Sequence, residues 1–259
     1  MSVYAGEQSS YFRECLQSIY EQTVSVEEVV LVLDGPVGLE LKECIEAYRD
    51  VLPIKLIELQ KNCGLAAALN IGLGFCSEEL IIRVDSDDLN YPNRFKLQYD
   101  FMIKNAEICV SSGQIDEFMC DPNEITSKRI VPLCHEDLVE FAKRRSPMNH
   151  PAVVFRRSKV EEVQGYPDMY PEDYFLWWKI ILSGGQIANI SETLVKMRTN
   201  KNFYRRRGLR FFRGEMKLLY FLRQKRILSY FEFSSLLFVR FVLRAVPPYF
   251  RELIYRAHR

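Results

Sequence analysis

An alternation of helical and extended apolar patterns constrains this chain most. Phe12, Cys15, Leu16, Ile19 and Tyr20 share one face at helical spacing from Ser9 onward, and the unbroken apolar run Val29 to Leu33 then reads as a short strand buried on both faces. The step repeats: Leu39 to Tyr48 is helical, Ile54 to Leu59 extended, Leu65 to Phe75 helical, and Leu80 to Val84 a strand ending in Asp85. Such alternation predicts an α/β fold, a mostly parallel sheet with helices on both faces. Ligands of such sheets lie at the carboxyl ends of the strands, so Asp34 and Asp85 are expected to share one crevice. Beyond Pro92 the pattern gives a helix to about Lys104, extended segments near Ile108 to Ser112 and Ala152 to Phe155, and an apolar helix from about Glu172 to Leu182 stopped by Gly184-Gly185.

The net charge of +1 hides a division. Lys and Arg against Asp and Glu number 18 against 31 before residue 195 and 17 against 3 after it, or −13 and +14. The acidic part suits carboxylate chemistry. The basic part, rich in Phe, Leu and Tyr, suits a polyanionic surface, and its aromatics lie in helical apolar faces, which favours anionic lipid over nucleic acid. The run Ile227 to Val246 is about long enough to span a bilayer, but Glu232, Arg240 and Arg244 interrupt it, so it is expected to lie on a membrane; packing on the rest of the chain is the alternative. Seven cysteines without CxxC spacing read as reduced, buried thiols of a cytosolic compartment.

The sharpest motif is DSDD at 85 to 88. Three carboxylates crowded at the end of a buried strand repel one another, and a divalent cation with oxygen ligands relieves this; the competing reading is a turn in which Asp87 or Asp88 caps the next helix. Glu172 and Asp173 open the helix that carries Trp177 and Trp178, where a carboxylate can act as a cap, as a base toward a hydroxyl, or as both. The segment NCGLAAALNIG, from Asn62 to Gly72, puts small residues at a helix start, where backbone can approach a phosphate or pack tightly on a sheet. His150 is a lone histidine in a polar loop, and the three histidines are too scattered for a zinc site. Arg198 and the block Arg205-Arg206-Arg207 are either solvated surface or a guanidinium cluster for a diphosphate. GxGxxG, the P-loop and GxSxG are absent.

The order of these pieces resembles glycosyltransferase family 2, the inverting enzymes with the GT-A fold. The resemblance rests on VYAGE at 3 to 7, LQSIYEQT at 16 to 23, EVVLVLDGP at 28 to 36, NCGLAAALNIGL at 62 to 73, RVDSDD at 83 to 88, NHPAVVFRR at 149 to 157 and PEDYFLWWK at 171 to 179. MRTNKNFYRRRG at 197 to 208 is similar to the bacterial polysaccharide branch, including galactosyltransferases that extend lipid-diphosphate-linked sugars. The resemblance implies a GT-A domain over 1–200, and the basic, aromatic-rich remainder over 201–259 is expected to be a helical appendage that associates with the membrane. The resemblance further implies that Tyr4 lies against uracil, that Asp34 bonds the base with Asn62 on the same nucleotide side, that Asp85 contacts the ribose, that Asp87 holds Mn²⁺ or Mg²⁺ on the diphosphate, and that Asp173 is the general base. His150, Glu172, Trp177, Arg198 and Arg206 are then candidates for acceptor or diphosphate contacts.

The implied partners are a UDP-sugar and a lipid-linked glycan, met peripherally at the cytoplasmic face of a bacterial inner membrane. Only Met1 and Ser2 precede the VY element, which predicts a short first strand or a coding start placed too late. The arginine that many relatives carry in the NxGxxxARN stretch is missing within Ala67 to Leu69, so its diphosphate contact must come from elsewhere. A nucleotidyltransferase and a non-catalytic membrane scaffold of the same fold are the competing readings.

Overall fold

The computed structural model describes residues 1–199 and 209–245. Its first half follows the alternation. Strands β1 (Ser2–Val3), β2 (Val29–Leu33) and β3 (Ile54–Glu58) form a parallel sheet in the order β1-β2-β3, joined by helices α1 (Ser9–Tyr20), α2 (Leu39–Tyr48) and, leading onward, α3 (Leu65–Phe75). Strand β2 is buried at all five positions because it has helices on both sides. Val29, Leu31 and Leu33 join Phe12, Leu16, Leu41 and Ile45 of α1 and α2, while Val30 and Val32 meet α3, where a Cβ on Gly72 would stand 3.0 Å from Val32. An apolar side chain so enclosed contributes roughly 1.5–3 kcal/mol relative to exposure, which is why a continuous apolar run is stable here.

The parallel order does not extend through the molecule. Strands β4 (Leu80–Ile82), β5 (Leu89–Asn90), β6 (Ile108–Phe118), β7 (Ile125–Arg129), β8 (Val154–Arg156) and β9 (Gln186–Arg198) form a second sheet in the order β4-β8-β6-β9-β5, with β7 on β6. Here only β6 and β9 run parallel; β4 with β8, β5 with β9, β6 with β7 and β6 with β8 are antiparallel. The expectation of a mostly parallel sheet therefore holds for the first three strands and is corrected for the rest. The physical reason is connectivity: β6 and β7 are joined by a short turn, which can only reverse the chain. The helices of this half are α4 (Arg94–Lys104), α5 (His135–Ala142), α6 (Arg157–Glu162), α7 (Glu172–Leu182), α8 (Leu209–Gln224) and α9 (Tyr230–Ala245).

Helix α7 is apolar around most of its circumference because it lies between two cores. Leu176, Trp177 and Ile180 pack with Val110, Val153 and Ile187 of the second sheet region, while Tyr174, Phe175 and Trp178 pack with Leu218, Leu219 and Leu222 of α8. Gly214 lets α8 come this close: a Cβ there would stand 1.9 Å from the Tyr170 carbonyl oxygen. Helix α9 adds Phe233, Leu236 and Leu237 to the same cluster. The two basic helices thus pack on the rest of the described chain through their inner faces. Arg240, expected on an interfacial face, is buried instead, 3.2 Å from Glu215 and donating to the Arg144 carbonyl. All seven cysteines are free, but Cys63, Cys120 and Cys134 are exposed rather than buried, because they lie in loops and at a helix start.

Candidate active site

Asp34 and Asp85 do open into one cleft, of about 890 Å³, which Tyr4, Asn62, Asp87, His150 and Arg198 also line. Strand β1 carries Tyr4 to its rim, since Asp34 N–H donates to the Val3 carbonyl at 2.7 Å and holds the two strand ends side by side. Tyr4 is half exposed where it lines the cleft. Gly35 follows Asp34 at φ +90°, and a Cβ there would stand 2.7 Å from the Asn62 nitrogen, so the loop after β3 can close onto the end of β2 only because the side chain is missing.

That closure defines Asp34. Its carboxylate oxygens accept the Cys63 N–H at 2.6 Å and the Gly64 N–H at 3.0 Å, and Asn62 Nδ2 donates to the Asp34 carbonyl at 3.1 Å. Asp34 and Asn62, expected to act together, are joined through this loop. Each carboxylate oxygen keeps a second lone pair, so a ligand can still be bound there.

The DSDD loop is held from below by two buried arginines. Arg83 makes a bidentate ion pair with Asp85, and Arg94 Nη2 donates to the Arg83 carbonyl at 2.6 Å while burial beside the Arg83 charge brings its own pKa down to about 9. Asp87 has no such partner. Burial, then the charges of Asp85 and Glu7, push its carboxyl up to about 7. Asp88 is buried, raised well above the usual range by burial and by Asp85 and Asp87, and accepts the Arg198 N–H at 2.7 Å. Neither caps α4, whose N-cap is Asn93.

This carboxylate group suits a hard divalent cation. Asp87 is a half-buried oxygen donor on the cleft whose charge Arg83 offsets only in part, and Asp85 and Glu7 add to the negative potential. Among the described residues no three His, Cys, Asp or Glu side chains gather as a closed metal cage, so phosphate oxygens and water would supply the remaining ligands. Glu7 itself escaped sequence reasoning. It lines the cleft and accepts the Ser86 hydroxyl, tying the Tyr4 loop to the DSDD loop; its only sequence signal is a carboxylate three residues after Tyr4.

Arg198 ends β9 with its guanidinium stacked over Tyr11, 3.8 Å from the ring centre, and near Phe118 at 4.6 Å. It also pairs with Glu14, and its Nε donates to the Asp87 carbonyl at 3.1 Å, so it secures the DSDD loop as well as lining the cleft. Arg206 lies outside the described residues.

His150 lines the cleft, with Nε2 3.1 Å from the Tyr166 hydroxyl and its ring edge-on to Trp177 at 5.9 Å. Burial and the nearby Arg83 charge hold it well below the usual histidine range, so the imidazole is neutral. Trp177 is fully buried beneath His150, which corrects its expected place among the acceptor contacts: the helix needs that face for the core. Glu172 and Asp173 stand in the first turn of α7, outside the wall of the cleft. Both are raised, Asp173 by burial and Glu172 by burial and then by Asp173; Ser146 Oγ donates weakly to Asp173 at 3.4 Å. The charge of Arg83 reaches both, and Tyr166 senses Arg83, Asp85, Glu172 and Asp173 together.

Known proteins that this chain is similar to show its family. Residues 2–164 match the model of glycosyl transferase family 2. The chain is 39% identical over 258 residues, 99% of its length and 94% of the relative's, to the UDP-Gal:alpha-D-GlcNAc-diphosphoundecaprenol beta-1,3-galactosyltransferase of Escherichia coli. It is 32% identical over 261 residues, 100% and 97% of the two lengths, to the amylovoran biosynthesis glycosyltransferase AmsE of Erwinia amylovora. Among solved structures, S. aureus TarS 1-349 in complex with UDP-GlcNAc superimposes with a TM-score of 0.61 at 19% identity, over 79% of this chain and 63% of that one. The mannosyltransferase PcManGT of Pyrobaculum calidifontis, in complex with GDP-Man and Mn²⁺, gives 0.63 at 19% identity over 91% and 66%. These likenesses show the GT-A fold and set aside the nucleotidyltransferase reading. With its family motifs in order, its strand-end aspartates in one cleft and a family match over more than half its length, the chain belongs to glycosyltransferase family 2.

Proposed function

We propose that this enzyme moves a hexose, galactose or glucose, from a UDP-sugar to a hydroxyl of a polyprenyl-diphosphate-linked glycan in bacterial surface polysaccharide synthesis. The likeness that carries the reading is the end-to-end match to a galactosyltransferase whose name specifies such an acceptor. On the donor side, Tyr4 offers a ring face to uracil, Asp34 and Asn62 hold the base loop, and Asp85 takes the ribose. Arg83 lines the same cleft with its Nε–H unmatched by any acceptor among the described residues, which suits it to the diphosphate in place of the arginine missing from Ala67 to Leu69. Arg198 is a second cation on that wall.

Asp87 would hold Mn²⁺ or Mg²⁺, which when bound offsets the charge of the leaving diphosphate. On the acceptor side, Asp173 removes the proton of the attacking hydroxyl as its oxygen bonds the anomeric carbon from the far face; the bond to the diphosphate oxygen breaks with its electron pair leaving on UDP. Burial makes Asp173 a stronger base than an exposed carboxylate, and Glu172 and neutral His150 would accept or donate hydrogen bonds to the acceptor. Among the described residues no helix is long and apolar enough to cross a membrane, in keeping with a peripheral seat at the cytoplasmic face. Incubating the protein with a panel of UDP-hexoses, Mn²⁺ or Mg²⁺ and a lipid-diphosphate-linked N-acetylhexosamine, with UDP release as readout, tests the reading. UDP release dependent on both a UDP-hexose and that acceptor is expected; no acceptor-dependent release with any donor would overturn it.

A further inference from the structure

Helix α9 has two apolar faces, and only one is used. It begins with a capping box in which the Ser229 N–H donates to Glu232 and the Glu232 N–H to Ser229 Oγ, so Glu232 belongs to the helix start and lies 4.0 Å from Lys143. At roughly 100° per residue, Phe233, Leu236, Leu237 and Arg240 lie on one side. These side chains pack on α7 and α8, and Arg240 is locked to Glu215 and to the Arg144 carbonyl. Phe231, Phe238 and Val242 fall within roughly 20° of a line on the opposite side, with Val239 and Phe241 flanking it. Among the described residues nothing covers them: Phe231 is 82% exposed, Phe238 68% and Phe241 60%. A patch of this kind on an otherwise well-packed molecule marks an interaction surface.

The cations around the patch indicate what covers it. The turn from α8 into α9 exposes Lys225 and Arg226, next to Tyr230 and Phe231, and Arg223 stacks 3.6 Å above the Tyr230 ring centre. A second copy of this chain docked about a two-fold axis would bring the same cations face to face. An anionic lipid surface instead takes the aromatics into its acyl boundary and the cations at its headgroups. We propose that the outward face of α9, centred on Phe231, Phe238 and Phe241, seats the enzyme on anionic lipid. The inner face makes this seat rigid: Arg240 reaches Tyr174, the neighbour of Asp173, so lipid contact sets the orientation of the α7 start toward the bilayer. This rests on the reading that the acceptor is lipid-linked.

Flotation of the full chain with phosphatidylcholine vesicles, with and without phosphatidylglycerol, tests the seat against the variant Phe231→Ser, Phe238→Ser, Phe241→Ser. These side chains are mostly in water already, so the variant should unfold at the wild-type denaturant concentration. The wild type should float with the anionic vesicles and be partly released by salt, and the variant should lose at least tenfold in bound fraction. Its UDP release with a short-chain, water-soluble acceptor should match the wild type, while the rate on acceptor embedded in vesicles should fall in step with binding. Equal flotation of the two proteins, no flotation of the wild type, or a wild-type dimer that the variant converts to monomer would each overturn the proposal. Flotation as expected with no UDP release from any acceptor would strike down the proposed reaction and leave the lipid seat standing.

Discussion

Replacing Arg83 by Met isolates the electrostatic frame of the cleft. The guanidinium is 4% exposed and its partner Asp85 is 28% exposed, so the pair is buried on one side and damp on the other. Removing the cation leaves the Asp85 carboxylate beside Asp87 and Asp88, whose carboxyls are already raised by burial and then by the Asp85 charge. Removing one partner of a buried pair costs about 3–5 kcal/mol, and the partial hydration of Asp85 places this case near 3 kcal/mol, roughly a hundredfold in the folded-to-unfolded ratio. The double variant Arg83→Met, Asp85→Asn removes the stranded charge and should recover about half of that loss. Urea unfolding without divalent cations reads both values, provided the slope with denaturant stays constant. A loss below about 1 kcal/mol for Arg83→Met, or a double variant no more stable than the single one, would show that the pair does not hold the DSDD loop.

Asp173→Asn should leave donor binding intact and lower turnover by roughly 10²–10⁴-fold; near-normal turnover would remove Asp173 as the base. Because burial raises the Asp173 carboxyl and a base acts ionised, the acid limb of kcat should lie above the ordinary value of 3.8 and vanish in this variant; a limb at or below 3.8 would contradict the assignment. Asp87 is raised from 3.8 to about 7, so the stability of its protonated form is complete below the lower value and is lost as pH rises through the upper one. The gain in Tm on adding Mn²⁺ should accordingly be larger near pH 7.5 than near pH 5, and Asp87→Asn should abolish that difference; an unchanged difference would place the cation elsewhere. Asp34→Asn can satisfy only one of the two N–H groups at 2.6 and 3.0 Å, and should cost about 1.5–3 kcal/mol while raising the donor KM more than it lowers kcat; an unchanged donor KM would take Asp34 out of the binding site.

What the chain determines locally could be read from the sequence. The apolar run Val29 to Leu33 is β2, the pattern from Leu65 to Phe75 is α3, and Glu172 to Leu182 is α7, because strand burial and helix periodicity are properties of one element and its caps. The βα alternation also put Asp34, after β2, and Asp85, after β4, at strand ends that share one cleft, although β4 belongs to the second sheet. Tertiary structure decided which side chains those aspartates meet. The loop at Cys63 and Gly64 takes Asp34, Glu7 reaches Ser86 across 79 residues, and Arg198 meets Asp87 across 111. No periodicity records such pairs, since they depend on how distant elements pack.

The same holds for Trp177 and Arg240. A tryptophan beside a candidate base and an arginine in an amphipathic helix look like ligand and lipid contacts when only neighbours in sequence are considered. Two cores closing on α7 enclose the first, and Glu215 on the adjacent helix draws in the second. The turn of α9 that buries Arg240 is also what leaves Phe231, Phe238 and Phe241 facing outward, because a helix fixed on one side by packing and an ion pair can present only its opposite side to anything else.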